Sequence, residues 1–202
     1  GLRPHRPGRC LRAGVPADCG STSLRYSATT KENPPYQHDS ALDWQTERDM
    51  NDALNDLGEF IAGKADEHVA SWEIALGELM VTTSRDGLTR LMKLVRDDAN
   101  CLFKVLLDVT AVDYPEREER FEVVYNLLSL SHNQRIRIKV PADEQAPVPS
   151  MVPLFSSAGW FEREVWDMFG IFFTDHPDLR RMLTDYGFEG HPLRKDFPLT
   201  GY

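Results

Sequence analysis

Cysteine is scarce and scattered in this chain. Cys10, Cys19 and Cys101 are its three cysteines among 202 residues, and no CxxC pair occurs, so there is no iron–sulfur ligand set, no structural zinc motif and no disulfide framework. CxxCH, a GxGxxG turn after a strand, a Gly-rich loop opening a helix, GxSxG and HExxH are missing too, which leaves haem attachment, nucleotide binding and the common hydrolytic centres without an anchor. Basic charge is in deficit. With 23 Lys/Arg against 32 Asp/Glu, a net charge of −9 and a pI near 5.1, the chain lacks the clustered positive face that nucleic acid requires. Long apolar runs are also absent, since charged residues interrupt every stretch short of the roughly 20 residues a membrane helix needs. Any membrane association must therefore come through a partner.

What is present is enough to fold. A content of 41% hydrophobic and 27% charged residues suits one domain with tails or two small domains, burying about 70% of the unfolded surface. Charge divides unevenly: residues 1–40 hold six Lys/Arg and three Asp/Glu, or +3, and residues 41–202 hold 17 and 29, or −12. Arg3, Arg6, Arg9 and Arg12 stand without acids in the first 16 residues, and Ser21, Ser23, Ser27 and Thr30 follow. An organellar transit peptide and linker are expected over residues 1–46, with Arg25-Tyr26-Ser27 resembling a mitochondrial processing site.

From Thr46 to Gly63, Met50, Leu54, Leu57 and Ile61 recur at helical spacing. His68 to Thr83 reads as two strands around Gly77, and Leu88, Leu91, Leu94 and Val95 make a second helical stripe. The apolar run Leu102 to Val112 predicts a buried central strand. Phe121 to Leu130, the polar turn Ser131 to Gln134, and the alternating Arg135 to Val140 predict a hairpin whose second strand has one basic and one apolar face. These elements make an α+β domain over residues 47–140, a small mixed sheet with flanking helices. Pro141, Pro147, Pro149 and Pro153 predict a connection over 141–159.

Residues 160–202 differ. A helix from Trp160 to Phe169 places Phe161, Val165, Met168 and Phe169 on one face, with Glu162, Glu164 and Asp167 expected largely elsewhere on its surface. Beyond Gly170 the segment through Tyr202 has aromatic rings but no period, and is expected to be an extended, irregular segment that docks on a partner rather than on its own chain. His176 and His191, with Asp178, Asp185 and Asp196 nearby in sequence, raise the alternative of a metal-dependent hydrolase, although their spacing of 15 places no two ligands on one helical face. Arg180, Arg181, Arg194, Lys195 and Arg163 suit planar recognition of a phosphate or a quinone headgroup, although such residues more often bind carboxylates across an interface. Cys101, beside an apolar run, reads as a small buried hydrophobe.

The sequence Trp160-Phe161-Glu162-Arg163-Glu164-Val165-Trp166-Asp167-Met168-Phe169-Gly170, then His176-Pro177-Asp178-Leu179-Arg180-Arg181, then Leu183 to Pro192 and Arg194-Lys195-Asp196-Phe197-Pro198-Leu199, resembles the thirty-kilodalton subunit of respiratory complex I. Arg120 to Asn126 and Arg135-Ile136-Arg137 extend the resemblance into the hairpin; it fades before about residue 47. It implies a non-redox structural and assembly subunit in the peripheral arm of NADH:ubiquinone oxidoreductase, docked on the quinone-pocket subunit. It also implies no cofactor on this chain, with NADH, FMN, iron–sulfur clusters and ubiquinone belonging to the complex, and no catalytic residue. The wording of the motifs and the Arg-rich leader favour the matrix side of the mitochondrial inner membrane over the cytoplasmic face of a bacterial one. Family members continue past the position of Tyr202 with a further charged tail. Glu162, Arg163, Glu164, Asp167, Arg180, Arg181, Arg194 and Lys195 are expected to form inter-subunit and intrasegment ion pairs.

Overall fold

The structure is a computed structural model that describes residues 40–198 and 200. The expected transit peptide, with Cys10 and Cys19, lies almost entirely outside these residues. Helix α1 (Ser40–Ala65) buries Leu54, Leu57, Ile61 and Ala65 along one stripe, as the period requires. Met50, expected on that stripe one turn before Leu54, is 51% exposed. Strands β1 (Val69–Ala75) and β2 (Glu78–Thr83) form a hairpin closed by Leu76 and Gly77. Both turn residues have positive φ, 53° and 74°, the geometry that matches strand twist in a two-residue turn and that glycine adopts freely. The Ser84 hydroxyl then caps helix α2 (Arg85–Asp97) by accepting the Gly87 N–H at 3.2 Å, satisfying one otherwise unpaired donor.

Strands β3 (Val105–Asp113), β4 (Phe121–Ser129) and β5 (Gln134–Ala142) complete a five-stranded mixed sheet in the order β1-β2-β5-β4-β3, with only β2 and β5 parallel. One face is continuous core: Leu79 and Val81 of β2 align with Ile136 and Ile138 of β5, and these with Leu127 and Tyr125 of β4. On the opposite face two of the three basic residues of β5 are neutralised locally, Arg137 by Glu78 at 2.8 Å and Lys139 by Glu73 at 3.3 Å, while Arg135 is exposed.

The structure corrects two expectations here. Strand β3 is an edge rather than a central strand; its apolar residues are covered by α3 (Ala158–Phe169) packed against it. The proline-rich stretch is not a bare connection. Pro141 lies within β5, and β6 (Val148–Pro149) pairs in parallel with β7 (Phe173–Thr174). Val148, Met151 and Phe155 are buried in the same hydrophobic cluster as the sheet, so apolar side chains between the prolines hold the strap down.

Helix α1 approaches β1 closely at Gly58, where a Cβ would lie 2.6 Å from Trp72 Cε3. Gly58→Ala is expected to lower the thermal midpoint: overpacking costs about 1–3 kcal/mol, more than the roughly 1 kcal/mol gained in helix propensity. Gly63, with open space around its Cα, is the control, and Gly63→Ala should raise the midpoint by the equivalent of about 0.5–1 kcal/mol.

Candidate functional site

The helix α3 ends at Gly170, which takes the left-handed conformation (φ 78°) and donates its N–H to the Trp166 carbonyl at 2.8 Å. That turn sends the chain back along the helix, and Asp167 fixes the returning segment. Its carboxylate is fully buried. Oδ2 accepts the backbone N–H groups of Met182, Leu183 and Thr184 at 3.0, 2.8 and 3.0 Å, and Oδ1 accepts the Thr184 hydroxyl at 2.6 Å and Arg181 Nη1 at 2.9 Å. Successive N–H groups converging on one carboxylate form an anion nest. Burial pushes the Asp167 pKa upward, but the Thr184 hydroxyl and the three N–H donors outweigh it and hold the carboxyl well below its ordinary range. Arg181 also reaches the Gly190 carbonyl at 3.1 Å, and His191 Nδ1–H donates to the Asp167 carbonyl at 3.0 Å.

A second anchor joins the tail to the sheet. Arg120, just before β4, meets Asp113 at 2.7 and 2.8 Å and Asp196 at 2.8 and 3.1 Å, two fork-on-fork pairs, and reaches Glu144 at 3.1 Å. Asp113 also accepts the Lys195 N–H at 2.7 Å, and Arg194 joins Glu144 at 3.0 Å. The Arg120 hydrogen bonds hold both Asp113 and Asp196 below the usual carboxylate range, and Asp113 in turn raises the Arg120 pKa. The guanidinium groups of Arg120 and Arg194 lie over the Phe121 ring, 5.1 and 5.2 Å from its centroid.

The eight charged residues singled out in the sequence separate into distinct roles. Asp167 and Glu162 are fully buried and Arg163 nearly so, a correction of the expected surface placement of the two acids. Their burial is compensated by hydrogen bonds from distant residues: Ser150 Oγ donates to Glu162 at 2.6 Å and the Met151 N–H at 2.7 Å. Arg163 lies 3.9 Å from Asp178, which also pairs with the exposed Arg180 at 2.9 Å. Arg181 and Arg194 are committed within the chain as described. Glu164 is half-buried and Lys195 exposed, and neither side chain has an ion pair or hydrogen bond among the described residues. Arg120, Asp113, Asp196, Glu144, Thr184 and Ser150 carry much of the arrangement, although sequence spacing singles out none of them for it. The one local signal is Asp113 at the end of an apolar strand run.

The hydrolase alternative finds no support in the geometry. His176 Nε2–H donates to the Gly159 carbonyl at 3.1 Å, whereas His191 is fixed to Asp167, positions about 12 Å apart along α3 at 1.5 Å per residue. Among the described residues no group of three or more His, Cys, Asp or Glu is placed to hold a metal. Cys101 is buried, and burial pushes its thiol to about 11, a poor nucleophile. The outer side of the tail carries exposed apolar residues among charged ones: Phe172, Leu183 and Leu193 are 54–59% exposed and Tyr186 completely so, beside the exposed Asp178, Arg180, Asp185 and Glu189. Such residues on an ordered polar scaffold suit protein contact.

Residues 81–202 match the family described as respiratory-chain NADH dehydrogenase, 30 Kd subunit. The chain is 61% identical over 154 residues to the NADH-quinone oxidoreductase C subunit of Paramagnetospirillum magneticum, covering 76% of this chain and 77% of that protein. It is 59% identical over 153 residues to the corresponding protein of Maricaulis maris, covering 76% of each. Among solved structures it resembles a chain of the membrane-bound sulfane sulfur reductase, an archaeal respiratory membrane complex, with a TM-score of 0.58 and 26% identity over 72% of this chain and 85% of that one.

Removing the Asp167 carboxylate should strand three backbone donors and a guanidinium. Asp167→Ala is expected to cost about 3–5 kcal/mol and to open 182–190 to limited proteolysis. Because the folded-state pKa is depressed, the stabilisation is complete above the unfolded value of about 4 and is lost as pH falls through the folded one. The stability gap between wild type and Asp167→Asn should therefore be constant above that pH and narrow on further acidification, as denaturant titrations at a series of pH values will read.

Proposed function

The chain belongs to the family of the respiratory-chain NADH dehydrogenase 30 Kd subunit and is part of an NADH-quinone oxidoreductase, and from that premise we propose that it acts in the peripheral arm as a cofactor-free docking subunit. In this reading the sheet domain is the body, and residues 160–202 are the part that grips the quinone-pocket subunit. The observation that carries it is the contrast across the tail. Its inner side is tied to its own chain through Asp167 and Arg120, while Phe172, Leu183, Tyr186 and Leu193 face outward.

Of the eight charged residues, Glu164, Arg180 and Lys195 are the ones this reading assigns to contacts with other subunits; Glu162, Arg163, Asp167, Arg181 and Arg194 are assigned to shaping the segment. Electrons then pass through neighbouring subunits, and NADH, FMN, iron–sulfur clusters and ubiquinone belong to them. No helix among the described residues is long and apolar enough to cross a membrane, which supports attachment through partners. The Arg-rich leader supports placement on the matrix side of the mitochondrial inner membrane. The relatives in Paramagnetospirillum magneticum and Maricaulis maris support the equivalent surface in bacteria, the cytoplasmic face.

Affinity purification from detergent-solubilised membranes tests this directly. The tagged chain should bring down a large complex with flavin and iron–sulfur absorption, while the chain purified alone shows neither band. Tyr186→Ser combined with Leu183→Ser should lower recovery of the complex at least tenfold, about 1.4 kcal/mol at the interface, with little change in the chain's own stability. Undiminished recovery would remove the tail from the contact.

A further inference from the structure

The buried acid Glu162 has no role in the two anchors that hold the tail, and its surroundings are unusual. It projects from α3 into the joint between the strap after β6 and the sheet, with no exposed surface. Its oxygens receive the Ser150 hydroxyl at 2.6 Å and the Met151 N–H at 2.7 Å. No Lys or Arg among the described residues lies within ion-pair distance. The one titratable group near it from the segment after β7 is His176, with Nε2 at 4.0 Å and a side chain 2% exposed. Both ring nitrogens of that imidazole are already committed: Nε2–H donates to the Gly159 carbonyl, and Nδ1 accepts the Asp178 N–H at 3.0 Å, so its lone pair is in use. From β4 comes Tyr125, fully buried, whose hydroxyl has no hydrogen-bond partner among the described residues and whose pKa is pushed up by burial and by the Glu162 charge. The strap supplies Ser150 and Met151 and no charge.

We propose that Glu162 is a proton-operated latch: carrying a proton it keeps the strap of residues 148–155 seated between α3 and the sheet, and losing that proton favours parting of the strap from the helix. A carboxylate buried without a cation is costly even with two good donors, and hydration on opening relieves that cost. The protonated acid bears no such cost, and its new O–H brings a donor into the joint where the Tyr125 hydroxyl is an unused acceptor. Burial raises the Glu162 pKa to about 7, against the opposing effect of the Ser150 and Met151 donors. The sign follows from linkage. A raised folded-state pKa means that the closed form keeps its proton where the open form has already lost it, so closure is fully favoured below the open-state value of about 4 and weakens as pH rises through the closed-state one. The strap continues into α3 and pairs with β7, so its opening would loosen the start of the tail.

Hydrogen exchange of the full chain, corrected for the intrinsic pH dependence, reads the opening at the Met151 and Ser150 amides. The expected result is a rise of about tenfold per pH unit between pH 5 and 7 and a plateau above. Glu162→Gln, which keeps shape and carries no titrating proton, should give a flat profile; Tyr125→Phe should keep the slope but shift its upper limit. Carbon-13 NMR of the glutamate carboxyls in the wild-type chain keeps the test independent of whether the variants fold. A Glu162 carboxyl titrating near 4, or a flat wild-type exchange profile, would overturn the proposal.

Discussion

A buried carboxylate at the end of one helix decides the path of everything after it. Residues 175–198 contain no helix or strand and too few apolar repeats to collapse alone, so their conformational entropy, about 1–2 kcal/mol per ordered residue, has to be offset by directional contacts. Asp167 supplies five of them from one side chain. The charge is desolvated, yet each oxygen faces donors arranged by the backbone, so the helix end and the returning chain stabilise each other.

Arg120 extends that logic to the sheet. By joining Asp113 on the core side of β3 to Asp196 near the end of the described chain, it links positions 83 residues apart, alongside the apolar contacts of Leu179 with the core and of Phe188 with Phe197. Leu183, Tyr186 and Leu193 are left facing out. Because charged contacts carry part of the anchoring, not every apolar side chain of the tail is consumed by it, and several stay available at the surface. In the proposed reading, the apolar residues left at the surface connect this local chemistry to membership in a multisubunit oxidoreductase.

Periodic elements were legible because burial on a helix or strand repeats locally. Leu54, Leu57 and Ile61 announce α1, and Ile136, Ile138 and Val140 announce β5 and its basic opposite face. Non-local compensation was not legible. Glu162 and Asp167 look like exposed acids on an amphipathic helix until Ser150, 12 residues upstream, and Thr184, 17 downstream, arrive with donors. The apolar run ending at Val112 reads as a central strand because α3, which covers that edge, is far away in sequence. Family resemblance carried the function further than spacing could, since it drew on the whole pattern from Trp160 onward, but it did not single out Arg120 as the residue joining the tail to the sheet.

The central claim is that the buried charges of the tail shape a docking surface and take no part in electron transfer. The most direct measurement is the amount of assembled NADH-quinone oxidoreductase on native gels, set against quinone reduction per assembled complex, in membranes carrying Asp167→Ala. The account predicts a several-fold loss of assembled complex with turnover per complex close to that of wild type. Normal assembly with turnover per complex reduced about a hundredfold, some 2.7 kcal/mol in the barrier, would contradict it and place this carboxylate in the chemistry.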